Sequence, residues 1–97
     1  MDRNRNELIT LRSFCHFHEI EVSFVIQVQE EGLLELLQIE EETFIREEEL
    51  SKLERMVRLY KQLRINAEGI GAIMQLLEKI EALEVENEML KKKLSDK

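Results

Sequence analysis

Ninety-seven residues allow one small domain with room for a protruding element. The absence of proline, with three glycines, 36% charged and 43% hydrophobic residues, points to a mostly helical chain and excludes collagen-like, mucin-like and proline-rich architectures. The net charge of −7 and the single cysteine exclude an intrachain disulfide framework, a multi-cysteine zinc site and a generally basic surface.

Residues 1–9 read as a flexible N-terminus. Their polar start lacks a secretory signal core, and no apolar run approaches the ~18–20 residues of a membrane span. A soluble cytoplasmic protein with no membrane contact is expected. Thr10 suits the cap of a short helix that carries Leu11, Phe14 and Cys15, with Phe17 on or near the same face. After His18-Glu19 a second helix is expected from Glu21 to Glu31, with Val22, Val25, Val28 and Phe24 at helical spacing and Gly32 as its left-handed cap. A left-handed Glu19 is unfavourable, so the corner between the two helices is expected to be wide. Leu36–Ile39 and Thr43–Ile45 read as two short strands around the charged turn Glu40-Glu41-Glu42.

A third helix is expected over Glu47–Leu63, burying Leu50, Leu53, Met56 or Val57, and Tyr60. Asn66 then suits the cap of a fourth helix, and Gly69 and Gly71 in its first turns imply close packing against a neighbour. From Ile73 the apolar spacing becomes regular: Ile73, Leu76, Ile80, Leu83, Asn87, Leu90 and Leu94 alternate gaps of three and four residues. That is the seam of a coiled coil, and an amide such as Asn87 at an a-type position sets register and oligomer state. A homodimer is expected, either parallel, with Lys79 facing Glu84 and Glu86 facing Lys91, or antiparallel. The domain plan is a flexible stretch 1–9, a helix-turn-helix with a wing over 10–64, and a C-terminal helix with a coiled-coil segment over 65–97.

The charge is unevenly placed. Residues 18–49 carry eleven glutamates against Arg46 alone, net −10, whereas residues 50–69 are net +3. Phosphates would be repelled from the middle third, and a basic partner would be attracted to it. On the second helix and wing this acidic face comprises Glu21, Gln27, Glu30, Glu31, Glu40, Glu41 and Glu42. Ile26 either joins it as an apolar contact, as mixed protein interfaces use, or packs beneath the wing. Arg55, Arg58, Lys61 and Arg64 form a basic stripe, and the abundance of glutamates favours ion pairs within the chain over an acidic partner.

Taken in order, Thr10-Leu11 through Phe14-Cys15, Ile20, Glu31-Gly32-Leu33-Leu34, Val57 through Asn66, and Gly69-Ile70 resemble the MerR-like regulators. More narrowly, Phe14-Cys15, Val57-Arg58-Leu59, Ile65-Asn66 and Glu86-Asn87-Glu88-Met89-Leu90 resemble the chaperone modulator CbpM family, over about residues 8–94. The resemblance implies a mainly α fold: a winged helix-turn-helix with a two-strand wing and a C-terminal coiled-coil helix. It also implies binding to the J domain of a DnaJ-like co-chaperone of the CbpA type, and inhibition of its action with the Hsp70 chaperone. The alternative is a MerR-like DNA-binding transcriptional regulator. A DNA reader needs cations on the second helix and wing, but Ile26-Gln27 stands where the family typically has Arg-Tyr, and the wing holds three glutamates.

Chemistry is not indicated. Cys15, His16 and His18 offer three potential ligands within four residues, yet no other Cys or His exists to complete a zinc site. No pocket or oxyanion hole accompanies a cysteine–histidine pair, and Gly69-Ile70-Gly71 lacks the spacing of a phosphate loop. No enzyme activity, metal or cofactor is expected.

Overall fold

The computed structural model describes residues 7–95. A strand, β1 (Leu8–Thr10), leads directly into α1 (Leu11–His18). The Thr10 hydroxyl accepts the Ser13 N–H at 3.0 Å, satisfying one of the free donors of the first turn. At the other end Glu19 takes the left-handed conformation (φ 56, ψ 52), and the Ile20 N–H returns to the Cys15 carbonyl at 3.0 Å. The wide corner expected from Glu19 therefore does not form. The closing hydrogen bond and the half-buried Ile20, which packs on the core, offset the cost of a left-handed glutamate.

The second helix, α2 (Val22–Glu30), is one residue shorter at each end than its spacing predicts. Glu21 stands at the extended cap position without a capping bond, because its carboxylate accepts the Tyr60 hydroxyl at 3.0 Å. Gly32, at φ 80, closes the helix as expected, with the Leu33 N–H on the Val28 carbonyl at 3.1 Å.

Two strands were expected, and three form. β2 (Leu36–Ile39) and β3 (Glu42–Arg46) make the wing hairpin, and β1 adds to the other edge of β3, giving the antiparallel order β1-β3-β2. Ile45 pairs with Ile9 on one side and Leu36 on the other, and is fully buried. Covering the second edge of β3 satisfies its backbone and gives Leu8 and Ile9 a half-buried place. Residues 8 and 9 thus leave the flexible stretch expected over 1–9; residues 1–6 of that stretch lie outside the described residues. The expected third helix opens as a 3-10 turn (Glu47–Glu49) before α3 (Leu50–Leu63), which ends at Arg64 in the left-handed region (φ 58).

The core is built from one face of each helix and from β3. Val25, Val28, Ile45, Leu53, Met56 and Ile70 are fully buried. Phe24, also buried, stacks on Tyr60 with ring centroids 4.0 Å apart. The last helix, α4 (Ala67–Ser95), starts where the Asn66 side chain accepts the Gly69 N–H at 2.8 Å. Its first two turns dock on the core through Ala67, Ile70, Gly71 and Met74, and residues 78–95 project into solvent.

Candidate functional site

The acidic surface expected on α2 and the wing divides by what each side chain touches. Four of the eight residues are engaged within the chain. Glu21 is held by Tyr60 on α3, and Glu42 faces Arg12 of α1 at 3.4 Å. Glu31 lies over α4, its Oε1 3.5 Å from where a Cβ on Gly71 would stand. Ile26 is half-buried against the core, which supports packing over exposure. The remaining four, Gln27, Glu30, Glu40 and Glu41, are exposed, and no hydrogen bond or ion pair joins them to other described residues. Gln27 and Glu30 lie on the outer side of α2. Glu40 and Glu41 form the two-residue turn between the paired Ile39 and Glu42, with Glu40 at φ 53.

A glutamate in that backbone is held at a cost that glycine would avoid. The hairpin tip therefore presents two free carboxylates beside Ile39, which is 44% exposed. Carboxylates in this setting repel phosphate and attract lysine and arginine. Tyr60 responds to Glu21: the hydrogen bond to that carboxylate, with desolvation second, pushes its phenol above the usual range.

The basic stripe differs from its expectation. Arg55, Arg58 and Arg64 are exposed and pair with no described carboxylate, and Lys61 donates to the His18 carbonyl at 2.7 Å instead. The ion pairs that do form use Arg12, Arg46, Lys52 and His18. Phe17 is the other departure. Of the α1 residues near the apolar face, Leu11, Phe14 and Cys15 are buried, but Phe17 is 80% exposed. On a helical wheel Phe17, three residues after Phe14, falls beyond the edge of the apolar arc made by Leu11, Phe14 and Cys15.

Cys15 is a core residue, and burial pushes its thiol above the usual range, which keeps it unreactive. His18 packs between the rings of Phe14 and Phe17, at 4.2 and 5.0 Å, and its Nε2 stands 3.9 Å from Glu54. Among the described residues, no three Cys, His, Asp or Glu side chains gather as a metal would require.

Along α4 the heptad positions divide in two. Ile73 is half-buried at the domain, whereas Leu76, Ile80, Leu83, Leu90 and Leu94 are between 49% and 70% exposed, with Asn87 among them. A row of five apolar side chains on a projecting helix is an uncovered seam.

Residues 9–92 match the family described as MerR HTH family regulatory protein. A chaperone modulatory protein CbpM of Pseudomonas entomophila (strain L48) is 29% identical over 87 residues, covering 89% of this chain and 86% of the relative. One of the same name from Pseudomonas putida (strain W619) is 26% identical over the same shares. No solved structure matches.

Proposed function

The chain belongs to the MerR HTH family of regulatory proteins, and from that starting point we propose that it is a chaperone modulator acting by binding, without catalysis. Its partner in this reading is the J domain of a DnaJ-like co-chaperone of the CbpA type, and occupying that domain inhibits its action with Hsp70. The similarity to two proteins named as chaperone modulators over 89% of the chain supports the general role. The observation that carries the choice of surface is the set of unneutralised acids at Glu30, Glu40 and Glu41, on the two elements with which a helix-turn-helix protein would touch DNA.

A J domain offers a basic helix to Hsp70, and an acidic cover steers toward it and competes for it. The place of action is the cytoplasm; no described helix is long and apolar enough to cross a membrane. The exposed seam of α4 pairs with the same seam of a second copy, so the active form is a homodimer.

The test is binding of the full chain to a purified J domain by calorimetry at stepped salt concentration. Affinity should fall steeply with salt, and reversing Glu30, Glu31, Glu40 and Glu41 to lysine should abolish it. Unchanged binding by that variant would refute the surface. The family match to regulatory proteins favours a second reading, DNA binding. A gel-shift assay with genomic fragments at low salt decides it: nanomolar, sequence-specific retardation would replace the chaperone reading.

A further inference from the structure

Two surfaces of this chain are complementary, and neither finds a partner among the described residues of one copy. The first is the wing tip, where exposed Ile39 is followed by the free carboxylates of Glu40 and Glu41. The second lies across the ends of α1 and α3. There Phe17, 80% exposed, touches only the edge of the His18 imidazole among ring partners. The Lys61 ammonium, seated on the His18 carbonyl at 2.7 Å, ties the end of α1, next to Phe17, to the cation-bearing helix α3. Arg58 lies on the same side of α3, between Glu54, which approaches His18 at 3.9 Å, and Lys61. Arg64 follows at the end of the helix, in left-handed backbone that glycine would occupy more cheaply.

We propose that the wing tip of one copy docks on this Phe17–Arg58–Arg64 surface of a second copy. Ile39 would rest on the Phe17 ring, and the guanidinium groups would receive Glu40 and Glu41. Aromatic and arginine side chains are the residues around which protein interfaces concentrate their energy, and arginine suits carboxylates because its donors match both oxygens. Charge sign and apolar anchor agree on both sides. Twenty-one acids in the chain leave Arg58 and Arg64 without an ion pair among the described residues, so the contact that would neutralise them is between copies. Extended nucleic acid fits poorly, because a long polyanion on this small molecule, net −7, would also meet the repulsion of its acidic surface. If the acidic wing is the co-chaperone face, as the proposed function holds, self-docking masks it, and the co-chaperone must displace the second copy.

The experiment is sedimentation of the full chain at low salt, in a background carrying Leu83→Asp and Leu90→Asp to remove any association through α4. The chain should still self-associate, and the association should weaken at least tenfold at 0.5 M salt. Phe17→Ser should weaken it comparably. Variant A (Arg58→Glu with Arg64→Glu) and variant B (Glu40→Lys with Glu41→Lys) should each stay monomeric, and mixing A with B should restore association, because each wing then meets a stripe of opposite charge. All these side chains are exposed, and circular dichroism verifies that each variant is folded. A background chain that is monomeric at low salt, association retained by A or B alone, or no recovery on mixing overturns the proposal. So does a monomer that binds a labelled glutamate-rich peptide with a central leucine, since the occupant would then be another protein. None of these outcomes involves the J domain, so failure here leaves that reading standing.

Discussion

Three charged residues, Glu19, Glu40 and Arg64, occupy left-handed backbone with φ between 53 and 58. For a residue with a Cβ this conformation costs about 1–2 kcal/mol, and glycine escapes the cost. Glu19 is compensated by a helix-closing hydrogen bond, but no hydrogen bond or ion pair joins the Glu40 side chain to another described residue, so its retention trades stability for a charge at the hairpin tip. Glu40→Gly should therefore raise the free energy of unfolding by about 1 kcal/mol in urea denaturation, since a two-residue hairpin turn with positive φ at its first position favours glycine. The same substitution should weaken J-domain binding. A loss of stability would show that the glutamate side chain has a folding role after all. Glu40→Ala serves as the control: it removes the charge, keeps the Cβ, and should leave stability unchanged within about 0.5 kcal/mol.

At the scale of the element, α4 serves two ends with two different faces. Its first turns dock through Ala67, Ile70, Gly71 and Met74, while the heptad row begins at Ile73 and continues into solvent. The two glycines of the docking end are not equivalent. A Cβ on Gly69 would stand 2.8 Å from Ile65 Cγ2 and 3.1 Å from the capping Asn66 Oδ1. On Gly71 the nearest atoms would be Glu31 Oε1 at 3.5 Å and Leu33 Cδ1 at 3.8 Å, which is ordinary contact. Gly69→Ala should cost about 1–3 kcal/mol, because a β-branched methyl cannot swing away and the cap would be pushed open. Gly71→Ala should be neutral or stabilising by up to about 1 kcal/mol from helix propensity. Thermal melts of the two variants test this, and equal losses would mean that α2 packs on α4 more tightly than these distances indicate.

This element also marks how far the sequence could be read. Asn66 as the cap and the seam from Leu76 onward were legible because caps and heptads are local signals. That Met74 and Ile70, not Ile73, meet the core depends on where α2 lies, and no local pattern carries that. For the same reason β1 was missed: Leu8 and Ile9 become a strand only because β3 offers them an edge 36 or more residues away. Within the candidate site, the sign of the charge was legible residue by residue. Which acids stay free was not, because Tyr60, Arg12 and α4 claim Glu21, Glu42 and the neighbourhood of Glu31 from distant parts of the chain.

At the scale of the whole molecule, a compact body of about 75 residues carries a helix end that buries nothing, and the described chain extends over 59 × 37 × 20 Å. A body this small buries a modest share of its surface, so apolar side chains left on a projecting helix favour association. Pairing of the α4 seams, as proposed above, would place Asn87 in a polar layer between Leu83 and Leu90, where two amides could bond to each other but any shifted register would bury one against leucine. The homodimer should accordingly be reversible and single in register. Leu83→Asp should break the α4 pairing, leaving a monomer at 0.5 M salt where the wing contact is also weakened, since a buried charge on the seam is not rescued by screening. Asn87→Leu should tighten self-association at least tenfold, equivalent to about 1.4 kcal/mol, while admitting species larger than two. Sedimentation equilibrium over a range of concentrations checks both. An Asn87→Leu chain that stays a simple dimer of unchanged affinity would place Asn87 outside the contact and the pairing on another face of α4.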